Sequence, residues 1–114
     1  MHIETRAIHA GRTIDPATRA VSIPLHSSTT FERAVDGSYP AGLAYIRDAN
    51  PTRNAFEEAV ASLEGAATGT AFSSGMAAIS AVFDALPEGG RRIVVPDDMY
   101  FGIRSLIAET EVGR

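Results

Sequence analysis

Tyr45 and Arg47 stand two residues apart, so on an extended segment both side chains leave the same face and a phenol hydroxyl comes beside a planar fork of guanidinium donors. That combination suits the oxygens of a phosphate. A second anion site is legible at Ser73-Ser74-Gly75-Met76, where a short strand would turn into a helix. The first amides of a helix have no internal partner and its dipole favours negative charge there, so Ser74 can cap the helix while the Gly75 and Met76 N–H groups bind an anion. Tyr100 is the third candidate. It follows the β-branched run Ile93-Val94-Val95, and an aromatic ring at the carboxyl end of a parallel strand can stack on a flat ligand. Taken singly, each has a plainer reading: a simple Ser-Gly cap, a surface Arg beside an interface Tyr, a rim tyrosine.

Other chemistries lack their residues. All ten basic residues are Arg, and with no Lys the chain has no side-chain amine to condense with an aldehyde or to serve as a phosphate-loop lysine. There is no Cys, which removes disulfides and thiolate metal sites. His2, His9 and His26 are too scattered for metal spacing, and Asp97 and Asp98 point apart on extended chain, so no metal is assigned. Gly-x-Gly-x-x-Gly and Gly-x-Ser-x-Gly are both missing. The net charge of −4 comes from 14 acidic and 10 basic residues with no block of either sign, which argues against nucleic acid and membrane surfaces as partners. The first residues hold no signal-peptide apolar stretch and no run could span a bilayer, which favours the cytoplasm.

The elements that would position these residues begin late. From Met1 to about Asn50 neither a helical nor a strand period persists, and Pro16, Pro24, Pro40, Gly11, Gly37 and Gly42 punctuate the stretch. It also carries more apolar side chains than a solvated tail, among them Val21, Leu25 and Phe31, so residues 1–50 read as an extended arm laid on a partner subunit. At Asn50 the pattern changes: Asn50 is an N-cap, Pro51 suits the first helical position, Phe56, Ala59, Val60 and Leu63 share a face, and Gly65 stops the helix. Thr70 to Ser73 predicts a short strand, and Gly75 to Leu86 a helix apolar almost all round and therefore buried, ended by Pro87 and Gly89-Gly90. Arg91 to Pro96 predicts a strand buried on both faces. Asp98 would cap a last helix in which Ile103, Leu106, Ile107 and Thr110 fall at helical spacing. Helix, strand, helix, strand, helix from residue 51 to 114 predicts the opening of a parallel α/β domain that two strands cannot complete.

Several stretches in this order resemble the Cys/Met-metabolism pyridoxal-phosphate family of cystathionine synthases and lyases, methionine γ-lyases and homoserine-ester sulfhydrylases. They are Thr5-Arg6-Ala7-Ile8-His9-Ala10-Gly11, Pro24 with Ser28-Thr29-Thr30-Phe31, Tyr45-Ile46-Arg47, Asn50-Pro51-Thr52-Arg53, Leu63-Glu64-Gly65, Ser73-Ser74-Gly75-Met76-Ala77-Ala78 and Asp97-Asp98-Met99-Tyr100. The resemblance covers nearly the whole chain. It implies an aspartate-aminotransferase-like fold (fold type I), of which this chain holds the N-terminal part, and pyridoxal 5'-phosphate as cofactor. Ser74, Gly75 and Met76 would hold the cofactor phosphate, and Tyr100 would stack on its ring as the one catalytic residue of this segment. Tyr45 and Arg47 would reach the phosphate in the neighbouring subunit of a homo-oligomer, a dimer of dimers. Asn50-Pro51-Thr52-Arg53 would set the junction between arm and helix.

Two departures stand out: Ile46 where the family has a small residue, and Phe101-Gly102-Ile103 where it commonly has Gly-Gly-Thr. The first should be tolerated because that side chain points away, while the second removes a hydroxyl near the cofactor. The family's cofactor-binding lysine, the acidic partner of the pyridine nitrogen and the arginine for the substrate carboxylate would lie beyond residue 114. The implied activity is γ- or β-elimination or replacement on cystathionine, homoserine esters or methionine-like amino acids, with the 114-residue chain inactive by itself. Two alternatives remain: a non-catalytic remnant that pairs with a full-length paralogue, as the missing Lys would suggest, and a small anion-binding module.

Overall fold

The computed structural model describes residues 1–86 and 92–110. The chain groups into two units, Met1–Ala71 and Phe72–Arg114.

The first unit is organised around α2, Pro51–Glu64. As the sequence requires, the Asn50 side chain accepts the Thr52 amide at 2.9 Å, Pro51 occupies the first turn, and Gly65 closes the helix with φ 69°. Asn50 does more than cap. It is 5 % exposed, and its Nδ2 donates to the His26 carbonyl at 3.0 Å while the Thr52 hydroxyl oxygen accepts the His26 amide at 2.9 Å. Both ends of the Asn50 amide are therefore satisfied, and residues 24–26 are tied to the start of α2.

Residues 1–50 are not wholly irregular. Ile3–His9 form a helix, α1, that the search for periodicity did not anticipate. At seven residues it is too short to display a period and too short to be stable alone. Glu4 in its first turn and Arg6 and His9 in its last suit the dipole, but docking on α2 is what sustains it. Arg6 Nη1 donates to the Ser62 carbonyl at 2.9 Å, one of the four carbonyls that end α2 without helical partners. Further on, Asp15 accepts the Ala17 and Thr18 amides and the Thr18 hydroxyl, which together hold its carboxyl below the usual range, the hydroxyl most of all. Thr30 and Tyr45 form an antiparallel bridge, with Phe31 N–H donating to Ala44 at 3.1 Å and Ile46 N–H to Thr29 at 2.8 Å. Val21, Leu25 and Val35 are left largely exposed.

The apolar stripe expected to bury α2 does not do so. Phe56, Val60 and Leu63 are exposed, and of that stripe only the small Ala59 is covered, where Gly11 rests on it and on Ala55; Ala61, on another side of the helix, is buried. Small side chains are what allow α1 and the Gly11 turn to come so close.

In the second unit, α3 spans Gly75–Asp84 and α4 Phe101–Glu109. Ser74 caps α3 as expected, its Oγ accepting the Ala77 amide at 3.1 Å. Three expectations fail here. The helix from Gly75 is not buried, for Val82 is 62 % exposed and only Phe83 is enclosed. Neither Thr70–Ser73 nor the described part of Arg91–Pro96 joins a ladder, and the Thr30–Tyr45 bridge is the sole β pairing among the described residues. The two failures share a cause: a strand is defined by its partners, and a helix that would cover a sheet has nothing to cover without one. Third, Asp98 does not cap α4. Tyr100 takes the N-cap position without a side-chain bond, and Thr110, expected inside the helix, is its C-cap. The Asp97 carbonyl instead accepts Arg104 Nη2 at 2.5 Å. The stops assigned to Pro87 and Gly89-Gly90, and Arg91, lie outside the described residues.

Candidate functional site

The six residues singled out from the sequence fall into two groups, one in each unit. In the first, Tyr45 is half-buried and Arg47 exposed, with Arg47 Nη2 donating to the Tyr45 hydroxyl at 3.3 Å and its guanidinium 5.2 Å from the ring centroid. The two do meet, but not by strand alternation. After the bridge at Tyr45 the chain turns, with the Asp48 and Ala49 amides both donating to the Tyr45 carbonyl at 3.0 and 3.1 Å. The turn folds the guanidinium back over the phenol, a cation–π contact as well as a hydrogen bond. Arg53, which sequence reasoning placed only at a junction, holds this turn from beneath through the carbonyls of Ile46, Arg47 and Asp48.

In the second unit the start of α3 and the start of α4 come together. Among the described residues the Gly75 and Met76 amides have no acceptor, as the first two of a helix should not, and nothing lies within 4 Å of the point where a Gly75 Cβ would stand. The Ser74 hydroxyl oxygen already serves as cap acceptor, so its proton is left to donate. Tyr100, 57 % exposed, has its ring 4.6 Å from that of Phe101. What places it is Gly102. A Cβ there would lie 2.7 Å from Tyr100 Cε1 and 3.2 Å from Met76 Sδ, so the ring edge and the sulfur both occupy space that only glycine leaves free. Tyr100 and Met76 thus converge on one spot. The sequence had shown Gly102 only as a departure from a motif, and its close approach carries no signal in residue type alone.

An open helix start with two free amides and a hydroxyl donor, beside an exposed aromatic ring, fits a flat ligand carrying a phosphate. Residues 4–112 match the family described as Cys/Met metabolism PLP-dependent enzymes. The chain belongs to that family. Cystathionine gamma-synthase of Mycobacterium tuberculosis H37Rv is 47 % identical over 103 residues, which are 90 % of this chain and 26 % of the relative. Cystathionine beta-lyase of Coxiella burnetii is 45 % identical over 89 % of this chain and 26 % of its own length. Among solved structures, metB from Corynebacterium glutamicum superimposes with a TM-score of 0.85 at 40 % identity, covering 94 % of this chain and 28 % of that one. The chain thus spans about a quarter of the length of the relatives it matches. Over that quarter it shares the fold-type-I, aspartate-aminotransferase-like α/β architecture, and pyridoxal 5'-phosphate is the family's cofactor.

Proposed function

We propose that this chain supplies the N-terminal arm (residues 1–50) and the first part of the cofactor-binding domain (51–114) of a cytoplasmic, homo-oligomeric transsulfuration enzyme. Its Ser74 hydroxyl and its Gly75 and Met76 amides bind the phosphate of pyridoxal 5'-phosphate, and Tyr100 lies on the pyridine ring. The cofactor supplies an electron sink that lets an amino acid lose or exchange a group at its β or γ carbon. Cystathionine, homoserine esters and methionine-like thioethers are the substrates proposed, in keeping with the names of the relatives. The carrying observation is the pair of unpartnered amides at Gly75 and Met76 in the same unit as the exposed Tyr100 ring.

Tyr45 and Arg47 serve the neighbouring subunit's phosphate. Support comes from the exposure of Arg47 and from Val21, Leu25 and Val35, arm side chains that this chain leaves uncovered. This segment holds no side-chain amine to carry the cofactor covalently, so residues 1–114 alone are inactive.

The test replaces Gly75 by Asp in the full-length protein, which puts a carboxylate where the phosphate would sit. Equilibrium dialysis should then show pyridoxal 5'-phosphate affinity reduced by about two powers of ten or more, with pyridoxal affected far less. Equal losses for the two ligands, or none, would contradict the phosphate assignment. A full-length protein that binds the cofactor but turns over none of the proposed substrates would leave the remnant reading in its place.

A further inference from the structure

We infer that Arg53 is a positioning residue that shapes the Tyr45–Arg47 turn for phosphate, with Glu57 holding Arg53 in place. This rests on the reading of Arg47 as a phosphate ligand and concerns what presets it.

Arg53 lies in the first turn of α2 and reaches back to three consecutive carbonyls. Its Nη1 donates to Ile46 at 3.4 Å and to Arg47 at 3.0 Å, and its Nη2 to Asp48 at 2.5 Å. On its other edge, Nε is buried without a hydrogen bond of its own and faces Glu57 Oε1 at 3.6 Å, one helical turn on. Glu57 is fixed in turn, because the same oxygen accepts the Ala71 amide at 2.8 Å.

Two consequences follow from this geometry. The amides of Asp48 and Ala49 fix the Arg47–Asp48 and Asp48–Ala49 peptide planes from one side through the Tyr45 carbonyl; Arg53 braces the same two planes through their carbonyls and supplies the one bond to the Ile46–Arg47 plane among the described residues. Arg47 itself is held by its 3.3 Å hydrogen bond and its cation–π contact to Tyr45, so the direction of its side chain depends on the backbone of the turn that Arg53 braces. The three carbonyl oxygens also carry partial negative charge within the turn that bears Arg47, a field that would disfavour a phosphate bound there. A guanidinium beneath them offsets that field and aims its donors at all three at once, which an ammonium on a flexible stem does less well.

A merely structural Arg53 would weaken every ligand alike, or lower stability without touching affinity. A positioning Arg53 acts through Arg47 and only on ligands with a phosphate. In the full-length protein, pyridoxal 5'-phosphate and pyridoxal affinities are measured for Arg47→Ala, Arg53→Ala, Arg53→Lys and the Arg47→Ala/Arg53→Ala double variant. Arg53→Ala should lower phosphate-ester affinity about tenfold and leave pyridoxal within about twofold, Arg53→Lys should recover part of the loss, and on the Arg47→Ala background the further loss should stay under about twofold. Should Arg53→Ala fail to fold, Glu57→Gln keeps an acceptor for Ala71 but slackens the hold on Arg53, and should cost about threefold, again for the phosphate ester alone. Additive losses, or equal losses with pyridoxal, overturn the inference while leaving Arg47 as a ligand. An Arg47→Ala variant that binds the cofactor normally overturns both.

Discussion

Gly11 lies so close to α2 that a Cβ on it would stand 2.1 Å from the carbonyl oxygen of Ala55, and its φ of 68° is in the left-handed region that side chains avoid. Both conditions make glycine necessary. Gly11→Ala in the full-length protein should cost about 2–4 kcal/mol of the free energy that docks α1, part from backbone strain and part from overpacking. Hydrogen exchange should show protection lost over Ile3–His9 with α3 unchanged. Protection that persists would mean the Arg6–Ser62 bond alone holds the helix.

The parts of this fold that could be read from sequence are those fixed by one residue's own chemistry. Asn50, Pro51, Gly65 and Ser74 each impose a local backbone outcome, and all four act as their types dictate. What depended on tertiary context was misplaced: α1 is tied to α2 by Arg6 and the Ser62 carbonyl, and Phe56, Val60 and Leu63 are left exposed while Ala59 lies under Gly11. The expected strands pair with nothing among the described residues, and Asp98 lost its capping role because Tyr100 takes the N-cap position of α4. The candidate site divides in the same way. Ser74-Gly75-Met76 could be read as a candidate because the capping serine and the unpartnered first amides of a helix follow from residue types, whereas the contacts of Arg53 and Gly102 are distances that residue types do not encode.

Gly102 yields a prediction of its own. The Tyr100 ring occupies the volume a Cβ at 102 would need, so Gly102→Ala should rotate the ring off its present position without changing its chemistry. Tyr100→Phe keeps the stacking face and should alter cofactor affinity less than about threefold, whereas Tyr100→Ala should lose about tenfold and Gly102→Ala should approach that loss. Dialysis of the three full-length variants checks this order. A Gly102→Ala variant indistinguishable from wild type would show that the ring's present placement does not matter for binding.

The 114-residue chain itself offers a direct chemical check. Having no Lys, it should give no stoichiometric side-chain adduct when mixed with pyridoxal 5'-phosphate and reduced with borohydride. Peptide mass mapping after digestion reads this, and a single fully labelled internal site would refute it. With Phe56, Val82 and Phe101 all exposed, the same chain should also sediment as oligomer or aggregate rather than as a monomer.

The central claim is that one chain contributes to two cofactor sites, its own through Gly75 and its neighbour's through Arg47. Mixing two inactive full-length variants, Arg47→Ala and Gly75→Asp, under conditions of subunit exchange tests it most directly. In a mixed dimer the Arg47→Ala subunit keeps an intact phosphate turn and receives Arg47 from its Gly75→Asp partner, so one complete site is rebuilt. Random pairing should then restore on the order of a quarter of wild-type activity. Activity that stays at the level of the parent variants, while mass measurement shows that mixed dimers have formed, would place Arg47 and Gly75 at the same site of the same subunit and contradict the account.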